Sequence, residues 1–333
     1  MSLRSVVPKS DHVPLFSDET VRSLIDVDLA IEAVEHAFTS YGHAREVLSD
    51  PPALLLPARK PTQAAFKVKG GRLASFGVAG FRMIADKETE KGEQTIDYCW
   101  IAEESTGRLI GLVDETSLHR LRTAVTGVVA AKWLARPESR VAVIVGAGKI
   151  ADELPAPLCR AFDLQEIRIV ARRPESAQAF AERHASVTRV KPFTNVHEAA
   201  KDADIVLCIS SSSTPVLQAA DLAPGMFVCG MGGGAEIAVD ALERADRFIV
   251  DDLEYAYSIG SVRGWVEQGL DRAAISRRMD ADIGEIAIKT KQGRIRNTDI
   301  VLAIVQGMAI CDIALAHHVL TRAGLIERKH NTP

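Results

Sequence analysis

Residues 146–151 read Gly-Ala-Gly-Lys-Ile-Ala, which fits the spacing G-x-G-x-x-A. In a strand-to-helix turn each small residue of that pattern has a task. Gly146 makes the tight bend, Gly148 lets backbone approach a pyrophosphate, and Ala151 permits close helix–strand packing. The N–H groups of Ala147, Gly148, Lys149 and Ile150 would then face the phosphates, where the helix dipole favours negative charge. A glycine-rich turn can be purely structural, so its context decides. Here it follows Val141–Val145, a continuous apolar run of the kind that forms a parallel strand buried on both faces. It also opens a β-α-β pattern, so the turn reads as a dinucleotide site.

The end of the next strand selects the dinucleotide. An NAD enzyme usually places Asp or Glu there, against the ribose 2′-hydroxyl. This chain has Val170-Ala-Arg172-Arg173-Pro174. Two guanidinium groups would give a 2′-phosphate charge-assisted partners, so the tip favours NADP, with NAD as the alternative. As two solvated loop arginines, they would say nothing. Ser210 and Ser211, in the run Ser210–Ser213, follow a strand at the carboxyl edge of the same sheet, where they could touch ribose or nicotinamide.

A second set of residues could bind an acid. Arg45, Lys67, Lys69, Arg82 and Arg122 lie in the first 122 residues. Each could be an ordinary surface charge, and for Lys67 that is the better reading. Arg82 differs, because it sits in the otherwise apolar run Ala79-Gly-Phe-Arg-Met-Ile. A buried arginine needs an anionic partner, which could be Asp86, Asp97 or a substrate carboxylate. Lys69 and Lys67 share a strand face, and the pair Gly70-Gly71 reads as a turn. His119 and Arg122 fall on one side of one helix. His119 and Lys69 are the candidate proton donors, although a histidine on a helix is commonly just a surface residue. There is no HExxH and no Cys/His cluster, so no metal is expected. No G-x-S-x-G element offers a serine nucleophile.

These residues need elements to hold them. Ser17 and Asp26 or Asp28 can cap two helices, the second ending with Gly42 at its C′ position. Residues 45–115 read as antiparallel β-structure and Ser117–Leu134 as a long helix ending before Pro137. From Val141 the pattern alternates strand and helix through Arg247–Val250, which argues a right-handed doubly wound sheet. Thr298–Leu320 reads as one apolar helix that packs back on the N-terminal part. The expected fold is α/β: a Rossmann-type doubly wound parallel sheet plus an α+β N-terminal substrate and dimerisation domain completed by the C-terminal helix. The expected domains are 1–122 with 304–333, and 123–303.

Composition narrows the function classes. With 333 residues, 47% of them apolar, the chain can bury a large core and suits two domains. A net charge of −4 offers no basic field for nucleic acid. No apolar stretch reaches the roughly 18 residues a bilayer requires. The N-terminus lacks an apolar signal core, and the five cysteines are scattered without a CxxC pair, so the reduced cytoplasm is the expected compartment.

Several elements together resemble the ornithine cyclodeaminase/μ-crystallin family: Ser105-Thr-Gly107, Leu118-His-Arg-Leu-Arg122-Thr-Ala124, the glycine turn, Gly284-Glu-Ile286 and Gly307-Met-Ala309 with Asp312. The resemblance runs nearly the whole length. It implies a homodimer built through the N-terminal β-domain and last helix, and chemistry at the C–N bond of amino or imino acids. It implies that Arg122 grips a substrate carboxylate and that Arg45 is a second carboxylate-binding arginine; Lys69 and Arg82, on the reading of the residues above, join Arg122 in the catalytic and substrate-binding set. Departures from the family pattern are Arg82 for a common lysine, His119 for a threonine, Val305 for a serine, and Gly234 for the aspartate of cyclodeaminases. They point away from strict cyclodeamination. The leading expectation is an NAD(P)H-dependent imino acid (ketimine) reductase or amino acid dehydrogenase acting on a small anionic substrate. The alternatives are an ammonia-eliminating cyclodeaminase with catalytic NAD, and a non-catalytic nucleotide- or ligand-binding protein.

Overall fold

The computed structural model describes residues 13–44, 47–58, 64–86 and 97–327. A short strand, β1 (Leu15–Phe16), leads to Ser17, whose side chain caps α1 (Asp18–Leu24). Asp26 caps α2 (Val27–His43), accepting from the Leu29 N–H at 2.8 Å. There follow β2 (Leu54–Leu56), β3 (Ala65–Leu73), β4 (Val78–Asp86), β5 (Tyr98–Glu103) and β6 (Leu109–Asp114). They form a six-stranded sheet in the order β1-β6-β5-β4-β3-β2, antiparallel except for the β1–β6 pair. The long α3 (Thr116–Leu134) is buried on every side from Leu121 to Ala131, as a helix shared between two packed units must be.

The second unit alternates β7 (Val141–Val145), α4 (Pro155–Ala161), β8 (Glu166–Val170), α5 (Pro174–Arg183), β9 (Val190–Phe193), α6 (Val196–Ala200) and β10 (Ile205–Cys208). It continues with β11 (Phe227–Gly230), α7 (Val239–Arg244), β12 (Arg247–Val250), α8 (Leu253–Ala256), α9 (Gly260–Glu267), α10 (Arg272–Arg278), β13 (Ala281–Asp282) and α11 (Ile283–Ala287). The chain closes with β14 (Val301–Ile304) and α12 (Ala309–Arg322). The eight strands are all parallel, in the order β13-β12-β14-β11-β10-β7-β8-β9. This is the Rossmann-type doubly wound sheet, and the fold is α/β. Every residue of β10, β11 and β14 is buried, which explains their unbroken apolar sequences. Each fully buried Val, Leu or Ile there contributes about 1.5–3 kcal/mol. Among the described residues no helix is long and apolar enough to cross a membrane.

Four local expectations need correction. The run 298–320 is not one helix: residues 301–304 form β14, and α12 begins only at Ala309. A short apolar run fits a buried strand as well as a helix, and Gly307, at φ +79°, breaks the chain between them. Gly42 lies inside α2 rather than past its end. A Cβ there would stand 2.3 Å from the Gly284 carbonyl oxygen, so its smallness serves a close crossing of α2 and α11. Gly70-Gly71 is no turn but the middle of β3. A Cβ on Gly71 would meet Ile310 at 2.6 Å and one on Gly80 would meet Ile313 at 3.2 Å, so these glycines let α12 lie close on the sheet. Finally, the glycine turn does not run straight into an α-helix. Ala151–Glu153 is a single 3-10 turn, and α4 starts at Pro155. Pro155 and Pro157 lack the N–H groups that a helix begun at 149 would need.

Candidate active site

The dinucleotide half of the site is built by neighbours in sequence. Gly146, at φ +112°, turns the chain as β7 ends, and a Cβ there would stand 2.7 Å from the Ile209 carbonyl oxygen. Its N–H donates to the Val170 carbonyl at 2.8 Å, which leaves the next amides to face outward. Ala147, Gly148 and Lys149 donate their N–H groups to no other described residue. A Cβ at Gly148 would meet nothing within 4 Å, so there is room for a ligand over the turn. Strand order reverses between β7 and β10, the switch point where doubly wound sheets bind ligands. Ser210 and Ser211 follow β10 across this crevice from the turn. Arg172 and Arg173 sit exposed beyond β8, with no ion-pair partner among the described residues.

The sequence reading missed Glu236, which sets the floor of this crevice. Its fully buried carboxylate accepts from the Ser210 N–H and from the Gly232 N–H at 2.7 Å, tying the loop after β10 to the loop after β11. Burial pushes its carboxyl up to about 7. In the same loops, a Cβ on Gly234 would lie 2.0 Å from the Ser212 carbonyl oxygen. This backbone therefore has no room for an aspartate at that position.

The other half is assembled from distant elements. Register pairs Lys69 of β3 directly with Arg82 of β4, and both side chains are buried under the inner face of the sheet. Two like charges so placed repel unless compensated. For Arg82 the compensation is Glu115, with its carboxylate 2.6 Å from Nε, and Asp312 of α12, 3.2 Å from Nη1. Of the partners expected for Arg82, Asp97 accepts from the Ala85 N–H at 3.1 Å and adds a weaker attraction to the guanidinium, and the side chain of Asp86 lies outside the described residues. Burial alone would lower the guanidinium's affinity for its proton, but Asp312 and Glu115 hold it above the ordinary value. Arg122, on α3, donates from Nε to the same Asp312 carboxylate at 2.7 Å. Burial opposes ionisation of Asp312, yet Arg122 and Arg82 keep its carboxyl well below the usual range. Glu115 is pushed the other way: burial and the Asp312 charge raise its carboxyl, against the pull of Arg82.

The two halves meet at Lys69. Its Nζ donates to the Gly307 carbonyl at 2.5 Å and lies 3.7 Å from the centre of the Tyr255 ring. Gly307 follows β14 and Tyr255 belongs to α8, which follows β12, so the ammonium touches the carboxyl edge of the parallel sheet. Burial, then the Arg122 and Arg82 charges, pull it down to about 7. Asp251, at the end of β12, accepts from the Gly307 N–H at 2.6 Å and fixes that loop. Gly307 holds φ +79°, which favours glycine, and a Cβ there would also crowd Arg122 Nη1 at 2.1 Å. That Nη1 is buried without a hydrogen-bond partner.

Of the expected acid-binding residues, the structure brings Lys69, Arg82 and Arg122 together. Lys67 is half-buried on β3, and Arg45 lies outside the described residues. Asp312 and Glu115 escaped the sequence reading as site residues. The signal for Asp312 was there: it is the one charge in Ala309–His317, and a lone carboxylate in an apolar helix needs a partner. Glu115 carried no comparable mark. Among the described residues no group of three His, Cys, Asp or Glu side chains could hold a metal ion.

The same architecture occurs in known proteins. The model of the ornithine cyclodeaminase/mu-crystallin family matches residues 14–325, and the chain belongs to that family. An alanine dehydrogenase of Archaeoglobus fulgidus is 29% identical over 93% of this chain and 94% of its own. A Delta(1)-pyrroline-2-carboxylate reductase of Bacillus cereus is 24% identical over 91% of this chain and 94% of its own. Among solved structures, an archaeal alanine dehydrogenase dimer with bound NAD superposes with a TM-score of 0.85 at 28% identity, covering 93% of this chain and 96% of that one.

Proposed function

We propose, from this family membership and the site just described, that the protein is an NAD(P)H-dependent imino acid reductase, or amino acid dehydrogenase in reverse, acting at the α-carbon of a small carboxylate-bearing substrate. One observation carries the reading. The only buried guanidinium nitrogen of Arg122 without a partner, Nη1, lies beside a lysine poised near neutrality, at the carboxyl edge of a sheet whose glycine turn is open for a dinucleotide. Arg122 Nη1 is the group that would receive the substrate carboxylate, with Arg45 as a second contact.

The residues around the turn fit a dinucleotide. Ala147, Gly148, Lys149 and Ile150 would hold its pyrophosphate, while Ser210 and Ser211 would lie along the ribose and nicotinamide. Once bound, the reduced nicotinamide supplies a hydride. A neutral imine must gain one proton as its carbon takes that hydride, and Lys69 is the donor we assign. In the oxidative direction neutral Lys69 takes the proton back. Arg82 is held by two carboxylates, so its part is to place Asp312, and through it Arg122, rather than to grip substrate. For the carrier we favour NADP over NAD on the strength of Arg172 and Arg173, whose guanidinium groups are free for a 2′-phosphate. The blocked position at Gly234 weighs against cyclodeamination, which needs an acceptor for a distal amine.

A homodimer is part of this proposal. Leu54, Leu56, Phe66, Phe81 and Met83 point away from α12 on the outer face of the six-stranded sheet, each at least 36% exposed, and Phe81 stacks on Trp100 at 5.3 Å. An apolar face of this kind marks a protein interface. The similar archaeal enzyme is described as a dimer.

The test is a panel of cyclic and acyclic imino acids with NADPH and with NADH, run beside ornithine with NAD. Carrier oxidation with a cyclic or ammonia-derived imino acid is the expected result. Release of ammonia from ornithine, or carrier binding without turnover of any imino acid, would overturn the assignment.

A further inference from the structure

We propose that His119 is a permanently neutral hydrogen-bond donor that recognises an oxygen of the bound acid through its Nε2–H. The argument is one of donors and acceptors. His119 Nδ1 lies 3.1 Å from Arg82 Nη1, 2.9 Å from Arg122 Nη2 and 3.3 Å from Thr123 Oγ1. A guanidinium can only donate, so Nδ1 must be the acceptor and cannot carry a proton. The ring proton is therefore on Nε2. The nearest carboxylate oxygen, on Asp312, is 3.7 Å away and already bonded by Arg122, too far to draw a proton onto Nδ1.

The charged groups facing this ring from each packed element are Arg82 on β4, Arg122 on α3 and Asp312 on α12, with Glu115 behind Arg82. Protonating Nδ1 would add a third cation against two guanidinium groups. Burial of most of the ring and the Arg82 charge accordingly hold the imidazolium below its ordinary range. Within this network Arg82, Arg122, Glu115 and Asp312 are each at most 2% exposed, whereas the His119 side chain keeps 32% of its surface. With Nδ1 turned inward on the arginines, the edge left open is the one that bears Nε2. The 3-10 turn that follows the glycine bend packs against α3, the helix that carries both His119 and Arg122. An acid held at Arg122 Nη1 thus meets a second, uncharged donor one helical turn away.

Two consequences separate this role from proton transfer. His119 cannot be the proton donor of the reaction, since its one ring proton, on Nε2, belongs to a neutral imidazole and is far too weakly acidic to be given up near neutral pH. It also strengthens binding without making that binding titrate in the histidine range. The nature of the acid rests on the function proposed above, but the tautomer does not.

The experiment therefore has two parts. In ¹⁵N-histidine-labelled protein, the ring signals lost in His119→Gln should be those of a neutral Nε2–H tautomer, unchanged from pH 5.5 to 8. An Nδ1–H tautomer or a protonated ring would overturn the proposal. The second part is calorimetric titration of the dinucleotide-saturated protein with pyrrole-2-carboxylate, a planar acid that needs no turnover. His119→Ala should weaken this binding by about ten-fold, equivalent to about 1.4 kcal/mol, and His119→Gln, which keeps a donor at the same reach, should restore most of it. Dinucleotide affinity should stay within about two-fold, well under the 1.4 kcal/mol of a ten-fold change. Unchanged acid binding in His119→Ala, or an equal loss of dinucleotide affinity, would sink the proposal. Failure of every imino acid to turn over would remove the reductase reading and leave both measurements decisive for His119.

Discussion

The two ends of the cleft are built on opposite principles. At the glycine turn, residues 147–149 offer backbone N–H groups, Gly148 leaves open space, and the nearby Arg172 and Arg173 side chains are exposed. At the acid end, Lys69, Arg82, Glu115, Arg122 and Asp312 lie in a dry core, drawn from β3, β4, the start of α3 and α12. The first end binds by local shape, so it can be altered without disturbing much else. At the second, Asp312 and Glu115 offset Arg82 and Arg122 while Lys69 feels both guanidinium charges, so a change at one residue reaches all of them. That interdependence explains why Lys69 and Glu115 are shifted toward neutral pH.

Substitutions should separate the two ends, and Lys69→Met should have the largest effect. Loss of a positioned proton donor should cut kcat by about 10²–10⁴, while dinucleotide affinity measured by fluorescence stays near that of the parent. The pH dependence has a defined sign. Reduction needs the ammonium, so its kcat/KM should fall as pH rises through about 7, and oxidation, which needs the amine, should rise over the same range. A profile flat between pH 6 and 8 would remove Lys69 from proton transfer.

Asp312→Asn should follow in size. It leaves Arg82 and Arg122 facing each other with less compensation, and breaking a buried ion pair in this way costs about 3–5 kcal/mol. Denaturant unfolding should show that loss, together with a raised KM for the acid. Gly148→Leu should do the reverse, because no protein atom stands within 4 Å of a Cβ there. The side chain would fill only the dinucleotide's space, so carrier affinity should drop by at least about ten-fold, or 1.4 kcal/mol, at unchanged unfolding stability. The smallest effect belongs to the exposed tip. Arg172→Ser with Arg173→Ser should weaken NADPH binding by about ten-fold, again 1.4 kcal/mol, and leave NADH binding unchanged. Equal loss for both carriers would show that the arginines do not read the 2′-phosphate.

This contrast also governs what could be read before the structure. Gly146, Gly148 and the Val141–Val145 strand announce the dinucleotide half because every part of it lies within one β-α unit. The cap residues Ser17 and Asp26 and the stop of α3 before Pro137 are local in the same sense. Gly42, Gly70 and Gly71 misled, since their smallness answers to distant partners, Gly284 and Ile310, rather than to a local turn. The run from 298 to 320 misled because an apolar sequence does not reveal whether its neighbours are strands or helices.

The sequence by itself determined the parallel α/β unit, the position of the glycine turn, the exposed arginines beyond β8 and a set of cations in the first 122 residues. These depend on residue type, period and spacing along the chain, which act over a few residues. Only the tertiary structure decided which of the cations are neutralised, where the free nitrogen of Arg122 points, and that Lys69 reaches the loop at Gly307. Those depend on Coulomb and desolvation energies between groups as far as 238 positions apart in the chain, and such energies exist only once packing has removed the water between them.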